Sequence, residues 1–268
     1  MTSLDLSLRR LSEGHIVRAW TLCSALLLVG LAATLIASFV DSRTLDGVIV
    51  WVKPAKFAAS LALHLMTLAV LAQRLPAESR RGIALTMVGY AAIAAALFEQ
   101  IYISIQAGRV RRSHFNFDSD FELMMYQLMG IGALVLIFAS FFLGALIWLR
   151  TQERNGLTLG AIVGLMVGSV MTLLIAGYLS SNGSHWVGET VGDANGVPVV
   201  GWSREVGDLR AAHFLATHIM QLLPLLGLWL DRARHHRNWI WLAATILVAA
   251  TFGLFLQALA GKPLIPVT

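Results

Sequence analysis

Three ionisable residues, His64, Glu99 and His218, fall inside long apolar stretches of the sequence. A charged group in a membrane-spanning helix costs several kcal/mol, so such residues usually face the bundle interior and take part in function. Counted along each helix from its outer end, all three are expected at a similar depth of roughly 10–12 Å. Imidazole and carboxylate groups at one depth could bind a metal ion, ligate haem iron or exchange protons.

Further polar residues accompany these three positions. His213 and His218 are five residues apart, which separates them by about 140° on a regular helix, so one ion could bind both only through a π-bulge. Gln221 shares the face of His218, and Pro224 is expected to kink the helix further along. Above the histidines the sequence predicts a basic rim, formed by Lys53, Lys56, Arg210 and His213.

A purely structural interpretation of the same residues also stays open. Glu99 could be held by Lys56 or Arg210. It could equally be protonated and bonded to Gln100, while each histidine donates a hydrogen bond to a carbonyl one turn away.

The composition indicates a membrane protein. Of 268 residues, 57% are hydrophobic and 13% are charged, and the mean hydropathy is +0.72. Soluble domains carry roughly 25% charged residues. The single cysteine, Cys23, excludes an intramolecular disulfide, a cysteine-based zinc site and an iron–sulfur cluster built from this chain alone. The basic pI of about 9.9 comes with no nucleic-acid-binding motif, so the basic residues are expected to meet anionic lipid headgroups.

Seven stretches are long and apolar enough to span a bilayer as helices, which takes about 20 residues each. They predict an all-α polytopic membrane bundle, with residues 1–268 forming a single transmembrane domain. Arginines, including Arg9 and Arg10, concentrate on the side of the N-terminus, which predicts an N-in, C-out orientation. Longer outer loops are then expected at 107–120 and 181–208. The spans are predicted at about 17–40, 51–73, 82–106, 121–149, 157–180, 209–230 and 238–261.

Small residues in two spans predict close approach of neighbouring helices. Gly160, Gly164 and Gly168 recur at intervals of four in the fifth span. The second span has a cluster that either packs against another helix or leaves room for a flat cofactor. The cluster consists of Ala55, Ala58, Ala59, Ser60 and Ala62.

Most acidic residues fall in the outer loops, where side chains are usually solvated. Together with two histidines they could instead gather a divalent ion, although their separations match no compact metal motif. The residues concerned are His114, Asp118, Asp120, Glu122, His185, Glu189, Asp193, Glu205 and Asp208.

Several segments resemble a family of uncharacterised bacterial multi-pass membrane proteins, a likeness that brings no activity with it. A weaker likeness is to the seven-helix zinc membrane hydrolases that include alkaline ceramidases and adiponectin receptors. Their Ser-x-x-x-His motif is similar to Ser60-Leu-Ala-Leu-His64, but here the seventh span has no histidine and the acid is Glu99. The segments that carry the first resemblance are Trp51–Phe57, Ser113–Asn116, Gly201–Ser203 and Gly207–Phe214, followed by Gln221 and Pro224.

Three functions follow as expectations for an integral protein of the bacterial cytoplasmic (inner) membrane. The first is redox chemistry with a b-type haem held by His64 and His218, its propionates directed to the basic rim. The second is a zinc-dependent lipid hydrolase in which His64, His218 and Glu99 serve as ligands or catalytic groups. The third is a proton- or solute-coupled transporter or sensor. The expected partners are the lipid bilayer and a lipid or quinone substrate, not nucleic acid.

Overall fold

The structure, a computed structural model, describes residues 14–190 and 192–267. Seven helices within these residues are long and apolar enough to cross a membrane. The predicted all-α polytopic bundle and its seven spans are therefore confirmed. Arg9 and Arg10, which contribute to the predicted orientation, lie outside the described residues.

The helices are α1 His15–Val40, α2 Val52–Leu71, α3 Ala77–Arg80, α4 Ile83–Gly108, α5 Asp120–Arg150, α6 Gly156–Ser181, α7 Leu209–Arg232 and α8 Trp239–Leu259, and a short 3₁₀ turn, Ala72–Arg74, follows α2. Two minimal sheets complete the fold. Strands β1 Thr44–Leu45 and β2 Val48–Ile49 pair with each other. Strands β3 Trp186–Val187 and β4 Gly207–Asp208 pair antiparallel inside the predicted loop 181–208.

The chain divides into two compact units, and a single transmembrane domain over residues 1–268 stays a prediction. Within the described residues, the first unit comprises 14–45 and 49–152, and it contains α1 to α5. The second comprises 46–48 and the residues from 153 onward, and it contains α6 to α8.

In the first unit, α1 packs directly on α2 and α4. The indole N–H of Trp20 donates to the carbonyl of Gly89 on α4 (3.2 Å), and the hydroxyl of Ser24 donates to that of Ala62 on α2 (2.8 Å). A Cβ atom at Gly89 would lie 2.9 Å from the Trp20 ring, so this crossing requires a glycine. Ala62 thus lies at a helix contact, whereas Ala59 and Ser60 of the same small-residue cluster are exposed.

In the second unit, the glycine stripe of α6 lies against α7, as the four-residue spacing predicted. A Cβ atom at Gly164 would lie 3.0 Å from Pro224 Cδ, and one at Gly168 would lie 3.1 Å from the backbone nitrogen of Met220. The contact is anchored at the start of α6, where the Asp231 carboxylate accepts hydrogen bonds from the backbone N–H groups of Gly156 (2.7 Å) and Leu157 (2.8 Å). Pro224 therefore lies within a tight helix interface.

Polar side chains mark where three of the long helices begin. Ser119, Asn155 and Asp208 each accept a hydrogen bond from a backbone N–H in the first turn of α5, α6 and α7, respectively. Such caps satisfy donors that the helix itself cannot pair. The caps at Ser119 and Asp208 fix the starts of α5 and α7 at the ends of the two longer loops. The polar clusters described below lie in these loops.

Candidate functional site

Glu99 lies on the buried face of α4, with 4% of its surface exposed. Its Oε2 atom is buried and accepts no hydrogen bond from any described residue. Its Oε1 atom faces Gly132 of α5, where an added Cβ would lie 3.6 Å away. Since 3.6 Å is an ordinary contact distance, Gly132 leaves a methyl-sized space beside the carboxyl group.

Lys53 of α2 supplies the positive charge that acts on Glu99. This lysine is half-buried, and its Nζ atom lies 6.0 Å from the centroid of the Phe57 ring. The sequence had named Lys56 and Arg210 as the cations for Glu99. Lys56 is a half-buried residue of the same helix as Lys53. The pairing of Glu99 with Lys56 or Arg210 stays a prediction.

His64 also contacts α5, at a position nearer the C-terminal end of that helix than the position that faces Glu99. Its Nε2 atom lies 3.4 Å from the hydroxyl of Ser140, and its ring also hydrogen-bonds to the backbone of Leu136. Gly132, which faces Glu99, and Ser140, which contacts His64, are eight residues apart on α5, or about 12 Å. The expectation that Glu99 and His64 share one depth is therefore wrong.

The two histidines of α7 point to different surroundings, as their spacing predicted. The Nδ1–H of His218 donates to the carbonyl of Phe214 (2.7 Å), because a carbonyl can only accept, and the two rings stack with centroids 3.9 Å apart. His213 has a buried Nδ1 atom with no hydrogen-bond partner among the described residues. Gln221 is half-buried, one turn beyond His218.

Arg210 is the centre of a polar cluster in the second unit. Its guanidinium binds two carboxylates, with contacts of 2.6 Å to Asp208 Oδ2 and 2.7 Å to each oxygen of Asp193. It also donates to the carbonyl of Gly201 (2.8 Å). These contacts stabilise the loop, and the role of Arg210 as a ligand for haem propionates stays a prediction.

The same cluster corrects the prediction of solvation for Asp193 and Asp208, whereas Glu189 and Glu205 of the same loop are exposed as predicted. Asp208 has only 4% of its surface exposed and also accepts from the backbone N–H of Ser203 (2.7 Å). His185 Nε2 lies 3.6 Å from Asp193 Oδ2. Burial lowers the pKa of His185 below its ordinary value. For Asp193, burial acts to raise the pKa, but the contacts with His185 and Arg210 outweigh it and hold that pKa well below its usual range.

A second buried acid, Glu122, closes the loop between α4 and α5. Its Oε2 atom accepts from the hydroxyl of Tyr102 (2.5 Å) and from Nε2 of Gln106 (2.6 Å), and its Oε1 atom lies 3.5 Å from Arg111 Nη1 and 3.8 Å from Arg109 Nη1. Only 1% of Glu122 is exposed, so the expectation of solvation is wrong here too. The i, i+4 spacing of Tyr102 and Gln106 was the signal that sequence reasoning missed.

His114, in the same loop, belongs to an aromatic cluster. Its ring centroid lies 5.3 Å from that of Phe57 and 6.3 Å from that of Tyr126, and its Nδ1 atom lies 3.2 Å from the hydroxyl of Ser113. The contacts join the loop to α2 and α5. They give His114 a packing role that its sequence context did not reveal.

The donor groups of the described residues do not form a three-ligand metal site. No group of three or more His, Cys, Asp or Glu side chains in residues 14–190 and 192–267 is arranged to hold one ion. His64 and His218 belong to different units, so a haem shared by them stays a prediction. Two observations fit such a haem poorly: Ser24 of α1 occupies the small-residue face of α2, and Arg210 is already bound to two acids.

An apolar groove of about 480 Å³ lies between α1 and α4 in the first unit. Its polar wall includes Gln100, whose Nε2 atom donates to the carbonyl of Pro54 (3.2 Å) and to the hydroxyl of Ser104 (3.2 Å). The buried Oε1 atom of Gln100 accepts no hydrogen bond from any described residue. The groove therefore has a mainly apolar wall that includes Gln100, the residue next in sequence to Glu99.

The chain matches no protein-family model, no curated protein and no solved structure at a significant level. Its resemblance to bacterial multi-pass proteins and to seven-helix zinc hydrolases thus stays a prediction.

Proposed function

We propose that this chain is a proton- or solute-coupled transporter or sensor of the bacterial cytoplasmic membrane, with Glu99 as the coupling group. The observation that carries the proposal is the buried Oε2 atom of Glu99, which accepts no hydrogen bond from a described residue. An ionised carboxylate that has lost water and gained no donor is energetically costly. A bound proton, or a donor group on a solute, supplies the missing contact.

The surroundings of Glu99 support exchange of its partner. Lys53 provides a positive charge nearby when the carboxyl group gives up its proton. The space at Gly132 gives room beside Oε1 for a small group. Two buried polar side chains of α5, Glu122 and Ser140, lie on either side of Gly132, the residue that faces Glu99, and Ser140 contacts His64. Intramembrane groups in such a series are typical of proton and ion pathways.

The proposal is tested with purified protein in liposomes that contain a pH-sensitive dye. Amino acids, organic acids, sugars and metal ions are added one at a time under an imposed membrane potential. At least one is expected to move protons with the wild type and not with Glu99→Gln, which keeps the shape and loses the titratable group. Gly132→Ala, which fills the space without a clash, is expected to slow the same movement. Unchanged proton movement in Glu99→Gln would refute the role of Glu99.

A haem-binding redox function is a second proposal, favoured by one contact. Donation of the His218 Nδ1–H to the Phe214 carbonyl leaves Nε2 with its lone pair directed away from that bond, the tautomer that a metal-binding histidine needs. His64 would be the opposite ligand, and haem would supply one-electron transfer to a quinone or protein. A purified, iron-replete protein with no Soret band would end this proposal without affecting the first.

A further inference from the structure

A basic groove of about 800 Å³ lies in the first unit, where the start of α1 faces the connection between α2 and α4. The roles proposed for Glu99, His64 and His218 do not involve this groove. The groove is lined by His15, Arg18, Arg80, Arg81, Thr86 and Tyr90, and no acidic side chain of the described residues contributes to its lining.

The arginines of the groove differ in burial. Arg80 is buried, with 8% of its surface exposed, and its Nη1 atom donates to the backbone carbonyls of Leu75 (3.1 Å) and Gln73 (3.4 Å). The groove wall therefore contains a fixed guanidinium. Arg18 and Arg81 are exposed, so their guanidinium groups are open to a ligand. Guanidinium groups bind phosphate through paired, charge-assisted hydrogen bonds.

The groove continues from charged to apolar along α4. Thr86 and Tyr90 are the fourth and eighth residues of α4, roughly 5 Å and 10 Å from its start. Large apolar side chains are exposed among them on α4, with Ile83 at 75% and Met87 at 67%. The basic groups at the start of the helix can contact the phosphate of a phospholipid, and the hydroxyl and apolar side chains that alternate along its first two turns can contact the glycerol ester and the acyl chains.

We propose that the basic groove binds an anionic phospholipid, with its phosphate on Arg18, Arg80 and Arg81 and its acyl chains over the exposed apolar face of α4. The predicted orientation places this lipid in the cytoplasmic leaflet, whose anionic headgroups attract basic residues. The groove lies within the first unit and involves neither Glu99 nor the histidines of α7, so the assignment stands independently of the proposed function.

The test measures binding of phosphatidylglycerol and of phosphatidylcholine with the same acyl chains to delipidated full-length protein in neutral detergent, by native mass spectrometry. The wild type is expected to prefer phosphatidylglycerol. Arg18→Gln with Arg81→Gln should weaken its binding by about twenty-five-fold, since each basic residue contributes about a factor of five. The matched control, Arg150→Gln with Arg232→Gln, removes two exposed arginines from helix ends on the same predicted side and should leave binding unchanged.

Equal binding of the two lipids to the wild type would overturn the proposal, as would an equal loss in the control variant. Competition by glycerol phosphate or inorganic phosphate at similar concentrations would overturn it too, because the ligand would then be a soluble anion. Both double variants must elute as folded protein in size-exclusion chromatography. Should the first fail, Arg18→Gln alone is expected to weaken binding about fivefold, and unchanged binding in that variant would refute the assignment.

Discussion

The contact between α6 and α7 gives the sharpest stability prediction, the effect of Gly160→Ala. A Cβ atom at this position would overlap the carbonyl oxygen of Leu223 and lie 2.8 Å from its carbonyl carbon, whereas ordinary contacts begin at 3.4 Å. The two helices must therefore separate locally by at least about 0.6 Å, and neither atom can rotate away because both belong to the backbone. Overpacking of this kind costs about 1–3 kcal/mol.

A matched control lies on the same helix. Gly177→Ala makes the same chemical change where nothing lies within 4 Å of the new Cβ. Because alanine favours a helix over glycine by roughly 0.5–1 kcal/mol, this variant is expected to be neutral or stabilised. The same gain partly offsets the clash at Gly160, so the net loss there should be about 1–2 kcal/mol.

The assay is unfolding of the purified variants in mixed micelles, titrated with a denaturing detergent and followed by circular dichroism. Gly164→Ala should fall between the other two, since its closest neighbour is the side-chain Cδ of Pro224 at 3.0 Å. If Gly160→Ala is as stable as Gly177→Ala, the close approach of α6 and α7 is incorrect, and with it the packing that places the start of α7.

Three further predictions concern the second loop and the orientation. Arg210→Leu leaves two acids without their cation and should cost about 2–5 kcal/mol, whereas Arg204→Leu, which loses one hydrogen bond to a carbonyl, should cost much less; similar losses in detergent unfolding would contradict the cluster. Because the pKa values of His185 and Asp193 are lower in the folded protein, the unfolded chain binds protons first as the pH falls. Stability should therefore decline as the pH falls below about 6.5 through His185 and further below about pH 4 through Asp193; His185→Gln should make the first decline shallower, and an unchanged profile would refute its assignment. A reporter fused after Thr268 should read as extracytoplasmic, and a cytoplasmic signal would break the predicted orientation.

The spans and their packing motifs could be predicted because they depend on local properties of the sequence. An apolar run longer than about 20 residues has few alternatives in a membrane protein. Likewise, Gly160, Gly164 and Gly168 lie on one face of any regular helix, and such a face favours close packing.

Depth within the bundle could not be predicted with the same accuracy. Counting from helix ends placed Glu99 and His64 together, but they contact positions eight residues apart on α5. The vertical offset between two helices is set by their side-chain packing and by the length of their connection. Neither quantity is visible in the sequence of one helix alone.

The outer loops show the same division between local and distant contacts. Arg210 follows its partner Asp208 by two residues, a spacing that could have been recognised as a pair. Asp193 lies 17 residues before Arg210, and only the folded loop reveals that contact. Glu122 was expected to be solvated with the other acids of the outer loops, whereas Tyr102 and Gln106 of another helix bind its carboxylate in a buried position.

The role of Glu99 is tested most directly by an infrared difference spectrum of the protein in liposomes, recorded between acidic and alkaline pH. We predict a band from the carbonyl stretch of a protonated carboxyl group that disappears in Glu99→Gln and persists in Glu122→Gln, because Glu122 is already held by several donors. A spectrum that is the same in Glu99→Gln and the wild type would contradict the proposal that Glu99 binds the coupling proton.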